Sequence, residues 1–277
     1  MKTKILELTL ILTLIVSVIP FTVYPVMASN ATSSVRIVKY AADNTIISET
    51  TKTYEWLRDN LPQQGDGVTH YYHQGPIFEG DMWDPTETQN LKDKGAVMGT
   101  ALKDLCELVG GMSPGNEIML SAVDGWHTEF AYENIYEPLD EQGVIALCWY
   151  NGEDALFGER YGDGYTGNYY TAMQIVFLAG TTNVNGEYVF GNSDMAVCLP
   201  DEKYQHFYEG LPSTNGLSGK WICEVSIFSG EAPVTPGEKL TDGTSEDSSE
   251  LPVIPIVIGV VGVLIIATSV IVIFRRK

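Results

Sequence analysis

Two of the four histidines in the chain fall within Thr69 to Pro76, read as THYYHQGP. Imidazole nitrogens bind zinc, iron and manganese, and carboxylates complete such ligand sets. His70 and His73, with Asp81 from the acidic stretch that follows, therefore form a candidate metal site, and Tyr71 and Tyr72 would line the ligand pocket beside it. Backbone geometry decides whether the two imidazoles meet. Residues three apart face opposite sides of a strand, but converge on a helical turn. Gly65, Gly67, Gly75 and Pro76 flank the segment, so an irregular loop is expected, and a loop can bring both rings to one point. The same residue types also serve without a ligand, because Tyr and His stack in loops and bond to backbone. No HExxH, phosphate-loop or nucleophile-elbow pattern appears. His127 and His206 stand alone, and Asp154, Asp163 and Asn168 lack the spacing of a calcium loop.

The surrounding pattern is mixed α and β. Strands are expected over Val35 to Tyr40, Glu117 to Val123, Val144 to Tyr150 and Ala172 to Leu178. Turns are expected at Asp124-Gly125 and Asn151-Gly152. Thr100 would cap a helix over Ala101 to Val109, with Leu102, Leu105, Cys106 and Val109 on one face and Gly110-Gly111 ending it. Trp221 to Phe228 alternates, which puts Trp221, Cys223, Val225 and Ile227 on one face. The stretch GERYGDGYTGNYY has neither period and reads as a glycine- and tyrosine-rich loop. Long helices between strands are missing and no GxGxxG follows a strand, so the pattern is not that of a dinucleotide-binding fold. The expected class is α+β with a sheet-dominated core.

The ends of the chain read differently. Residues 1–28 resemble a secretory signal: Lys2 and Lys4, an apolar run, then Val26-Met27-Ala28 at a cleavable end. An uncleaved N-terminal anchor is the alternative. Residues 29–230 form the extracytoplasmic domain, long enough for one sizeable core. Residues 231–251, rich in Pro, Gly, Ser, Thr and acid, are expected to be a flexible acidic stalk. Ile254 to Phe274 carries no charge, which suits a membrane-crossing helix over 252–274. Arg275-Arg276-Lys277 would then be a cytoplasmic tail. The expected location is the plasma membrane, single-pass, with the main domain outside. The formal net charge of −20 repels nucleic acid and favours cations. Expected partners are the membrane, through the C-terminal helix, and a small ligand or metal cation. Four cysteines in an exported chain allow three disulfide pairings or none, and no CxxC marks a zinc cluster.

Three sequence blocks then line up in order. They are GAVMGTALKDLCELVGG at 95–111; SAVDGWHTEF at 121–130 with ALCWYNGE at 146–153; and AMQIVFLAG followed by the closing GLSGKWICEVSIF. Their order and spacing resemble the molybdopterin-binding domain of sulfite oxidase-type oxidoreductases, over roughly residues 92–228. The resemblance implies that family's fold, and a pterin phosphate contacted by Ser218 and Lys220. It also implies a metal-ligating cysteine upstream of the helix, yet no cysteine precedes Cys106 and THYYHQGP occupies the corresponding place. The arginines that cradle the phosphate in that family are reduced to Arg36, Arg58 and Arg160 within the domain. The expected function is a surface binding module for a small ligand or metal. The alternatives are a molybdenum-pterin oxidoreductase with atypical metal ligation, or a structural envelope protein.

Overall fold

Alternating apolar and polar residues build two sheets whose inner faces share one core. The computed structural model describes residues 32–152, 163–166 and 173–230. The expected signal segment, stalk, membrane helix and tail, and most of the glycine- and tyrosine-rich loop, lie outside the described residues. Among the described residues no helix is long and apolar enough to cross a membrane.

In chain order the elements are β1 (Ser34–Tyr40), β2 (Ile46–Thr53), α1 (Tyr54–Asn60), β3 (Gln63–Gln64), β4 (His70–Gln74), β5 (Leu91–Ala101) and α2 (Leu102–Glu107). Then come β6 (Glu117–Ala122), β7 (His127–Ala131), α3 (Tyr132–Tyr136), β8 (Val144–Asn151), β9 (Gln174–Leu178) and β10 (Tyr188–Phe190). The last are α4 (Asn192–Cys198), β11 (Phe207–Tyr208), β12 (Leu211–Pro212) and β13 (Ile222–Phe228), with single 3-10 turns at Glu202–Tyr204 and Thr214–Leu217. The class is α+β and sheet-dominated, as the sequence indicates.

The first sheet runs β2-β1-β13-β6-β7. Its centre is the parallel pair β1 and β13, where Arg36 lies opposite Glu224. The Arg36 guanidinium bonds Glu224 at 2.8 Å and Glu49 of β2 at 2.6 Å, a cross-strand ion-pair row over three strands. Val35, Ile37, Ile118, Leu120, Val225 and Ile227 point into the core. The simple alternation expected from Trp221 onward is interrupted. A register shift between Ile222 and Glu224 lets Ile222 enter the core, leaving Cys223 half-buried and Trp221 outside the strand at φ 57°.

The second sheet runs β10-β4-β5-β8-β9, with β3 added to β5. Ile145, Leu147, Trp149, Ile175 and Phe177 face the common core, while Val97, Ala146, Cys148, Val176 and Leu178 pack on the other side with Tyr71. The histidine segment is therefore a strand, not the expected irregular loop. Two neighbours fix it, since Tyr71 to His73 pairs in parallel with β10 and His70 to Gln74 pairs antiparallel with β5. The flanking glycines only end it.

Helix α2 is wedged between the sheets, touching β13 on one side and β5 and β8 on the other. It buries Leu102, Leu105 and Cys106, with Val109 following, as the periodicity indicates, and Gly110 and Gly111 end the turn at φ 93° and 67°. The expected cap is different. Ala101 holds the N-cap position without a side-chain bond, because Thr100 belongs to β5 and its Oγ1 accepts the Trp149 indole N–H at 3.1 Å. A buried indole N–H needs a partner. All four cysteines are free thiols.

Phe177 is the hub of the shared core. Its ring stacks on Phe190 at 4.4 Å and takes the edges of Phe130 and His73. Phe177→Ala is expected to lower stability by about 3–5 kcal/mol. The check is the urea unfolding midpoint of the full-length protein, which should fall with little change in slope.

Candidate functional site

Among the described residues no strand pairs with the outer side of β9, and a loop and two side chains bond its backbone instead. The Ile175 N–H donates to the Gly219 carbonyl at 2.9 Å, and the Ile175 carbonyl accepts the Ser218 hydroxyl at 2.5 Å. Two residues on, the Phe177 N–H donates to His73 Nε2 at 3.1 Å. An imidazole nitrogen that accepts this bond carries no proton, so His73 is neutral with its proton on Nδ1. Nδ1 is itself buried without a hydrogen-bond partner. Complete burial, and then the nearby Lys94 charge, push the His73 pKa well below the ordinary imidazole value.

Lys94 reaches this place through a bulge. Between the pairs His70–Ala96 and Tyr72–Asp93, β5 contains one more residue than β4. Gly95 takes up the extra length at φ 88°, a conformation glycine adopts freely. The bulge leaves Lys94 only 9% exposed, with Nζ 2.6 Å from Asn215 Oδ1. The Gln174 side-chain amide donates to the Lys94 carbonyl at 3.2 Å. Asn215 begins a tight run, Asn215 to Trp221, laid along the β9 edge. Trp126 holds it down: the indole N–H donates to the Gly216 carbonyl at 3.1 Å, and its ring covers Gly219 so closely that a Cβ there would collide. The run ends at Trp221, whose positive φ is costly for a bulky residue and persists only where its surroundings fix it.

Behind the run lies a fully buried polar knot. The Gln74 N–H donates to Thr214 Oγ1 at 2.7 Å, and its side-chain oxygen accepts the Asn192 N–H at 2.8 Å. The Thr214 N–H returns to Asn192 Oδ1 at 3.1 Å. Gln74 Nε2 donates to Asp84 at 2.8 Å, which ties in the loop between β4 and β5. Gly75 and Asn90 close that loop by a backbone bond of 3.0 Å, the short-necked geometry of an Ω-loop. Burial pushes the Asp84 pKa up, but its bonds from Thr86, Gln89, Thr88 and Gln74 outweigh that and hold it down to about 2.

The structure brings His73, Ser218 and Lys94 to one edge. It does not bring the expected metal group together. The strand turns His70 away from His73, and His70 Nδ1 pairs with Asp93 at 2.8 Å. Tyr72 stacks near His70 at 6.4 Å. Tyr71 packs on the far face of the sheet near Tyr188. Asp81 is exposed and accepts the Trp83 N–H in its own turn at 3.0 Å. Among the described residues no group of three or more His, Cys, Asp or Glu side chains is placed to hold a metal. Lys220 lies in the Asn215–Trp221 run, two residues after Ser218. Lys94, Asn215 and the Glu87–Asp194 pair described below escaped the sequence reading. Gly95 inside β5 was the available sign of a bulge. Comparison with models of known protein families gives no match, and comparison with curated proteins gives none either.

His73→Leu would leave the Phe177 N–H without an acceptor, an expected loss of about 1–3 kcal/mol. The pH dependence gives a second readout. The unfolded chain takes up a proton at His73 below about pH 6.5 and the fold resists it, so this contribution is complete above that pH and is lost as pH falls. Wild type should lose stability on acidification below that pH, and the leucine variant should lose less, as measured by unfolding midpoints between pH 7 and 5.

Proposed function

We propose that the domain is an extracytoplasmic binding module for a small ligand that carries an anionic group. Its fold would be a divergent form of the sulfite oxidase-type molybdopterin-binding fold, held at the membrane by the C-terminal apolar segment. The observation that carries the reading is Lys94, an ammonium nine-tenths buried in a chain of net charge −20 and directed at an amide oxygen of the Asn215–Trp221 run. Buried cations are rare unless they serve a charged or strongly polar group. Lys220 lies on the same run. The strained Trp221 and the stitched-down glycines supply the rigidity that a binding site needs.

Molybdenum ligation does not fit the residues present. Burial pushes the thiols of Cys106, Cys148, Cys198 and Cys223 upward, which disfavours the thiolate a metal requires. Cys148 lies in the small cluster on the far side of the second sheet and Cys106 on the core face of α2, so neither offers sulfur at this edge. A ligand held through its anionic group needs no such thiolate.

The test uses pyrophosphate as the probe and the full-length protein in detergent, titrated by calorimetry. Lys94→Gln, confirmed as folded by its thermal transition, should bind at least about tenfold more weakly, because a charged hydrogen bond contributes about 1.5–3 kcal/mol. The surface charge gives an unusual sign for salt. Screening weakens the long-range repulsion more than the buried contact, so association should quicken as ionic strength rises toward 0.15 M. No binding at millimolar probe, or equal binding by the variant, would remove the reading.

A further inference from the structure

Helix α4 starts at Gly191, which has no side chain of its own to cap the first N–H groups. Gln74 accepts the Asn192 N–H, and Glu87 of the Gly75–Asn90 loop lies beside it against the helix start. Its carboxyl faces the Asp194 backbone N–H and lies against Gly191, where a Cβ would collide with Oε1. A second carboxyl, that of Asp194, stands beside it there. Two neighbouring carboxylates that are both partly buried resist being ionised together, which favours keeping a proton on one of them. Asp194 Oδ2 is buried and finds no other partner, which makes it the natural acceptor of that proton. The remaining charged groups facing the pair are acids. Asp84 faces Glu87 from the same loop, and Glu141, ahead of β8, faces Asp194.

We propose that Glu87 and Asp194 share one proton and act as a pH-sensitive latch that holds the Gly75–Asn90 loop on α4. The loop is built to be held. Asp84, Glu87 and Asn90 all sit at positive φ, and Asn183 also clasps it by donating to the Glu87 carbonyl at 2.8 Å. Opening exposes Glu87 to water and releases its proton to solvent.

Burial, followed by the Asp194 charge, pushes the Glu87 pKa up to about 8 from an ordinary value of 4.5. The closed loop therefore keeps a proton that the open loop loses between those values. The latch is at full strength below the lower value and weakens as pH rises, by up to about tenfold in the opening equilibrium per pH unit. It levels off above the upper value.

The experiment is amide hydrogen exchange by mass spectrometry on the full-length protein from pH 5 to 9, corrected for the intrinsic exchange rate. Peptides covering 76–90 and 191–198 are followed, with peptides from β1 and β13 as references. In wild type, protection of the loop and of the start of α4 should fall together as pH rises and flatten above about pH 8. Glu87→Gln keeps a donor to Asp194 but does not titrate, so its protection should stay flat. Asp194→Asn serves as the second variant and should make the profile shallower, since it removes the neighbouring charge but not the burial of Glu87. A wild-type profile flat across this range, or a slope that survives in Glu87→Gln, would overturn the latch.

Discussion

An open strand edge is the constraint around which this domain is organised. β9 ends the second sheet, and its outward N–H and C=O groups lie in the core, where an unpaired backbone group costs about 1–3 kcal/mol. Among the described residues no further strand covers them. Instead a ring nitrogen, a hydroxyl and a loop carbonyl complete the ladder one bond at a time. That solution fixes its neighbours. His73 must stay neutral and must lie on a strand that approaches β9 from the side. Ser218 and Gly219 must run alongside, which sets the path of the Asn215–Trp221 run, and the path of that run puts an amide oxygen in front of Lys94. The candidate site is thus a by-product of finishing an edge with side chains, and its parts are rigid for the same reason.

The charge arrangement follows a consistent logic. A chain this acidic keeps its few cations where each is used: Arg36 across three strands, Lys203 on Glu117 at 2.5 Å, and Lys94 under the loop run. Excess carboxylates are handled by backbone. Asp84 collects two N–H groups and two side-chain donors and stays ionised, while Glu87, a few residues away, has a neighbouring acid and resists ionisation. Two acids of one loop are thereby driven in opposite directions by what surrounds them, not by their own chemistry.

Much of the fold was legible because it rests on periodicity. The β1, β6, β8 and β9 strands and the buried face of α2 follow from runs whose apolar spacing admits one reading. Three features did not, each for a local reason. THYYHQGP contains no apolar alternation, so only pairing with β5 and β10 makes it a strand. Thr100 has the chemistry of a helix cap, but an indole across the sheet claims it. Bulges at Lys94-Gly95 and at Cys223 shift which side chains turn inward, and a one-residue shift reverses every inference drawn from alternation. The site suffered most, since Lys94 and the Glu87–Asp194 pair come together only through such irregularities. Ser218 was located by its place in GLSGKW, though the role the structure gives it is to bond β9.

The position of β13 carries a consequence for assembly. It is the last of the described strands in the chain, yet it lies in the middle of its sheet, between β1 and β6. As the chain emerges from N-terminus to C-terminus, the β1–β2 and β6–β7 hairpins can each form from nearby residues. They cannot join until residues 222–228 arrive, some 185 positions after β1. Until then both hairpins present bare inner edges of the kind that pair with a second chain. The nascent domain therefore passes through a window in which its two halves are made but unlinked, and a helper that shields strand edges would act in that window.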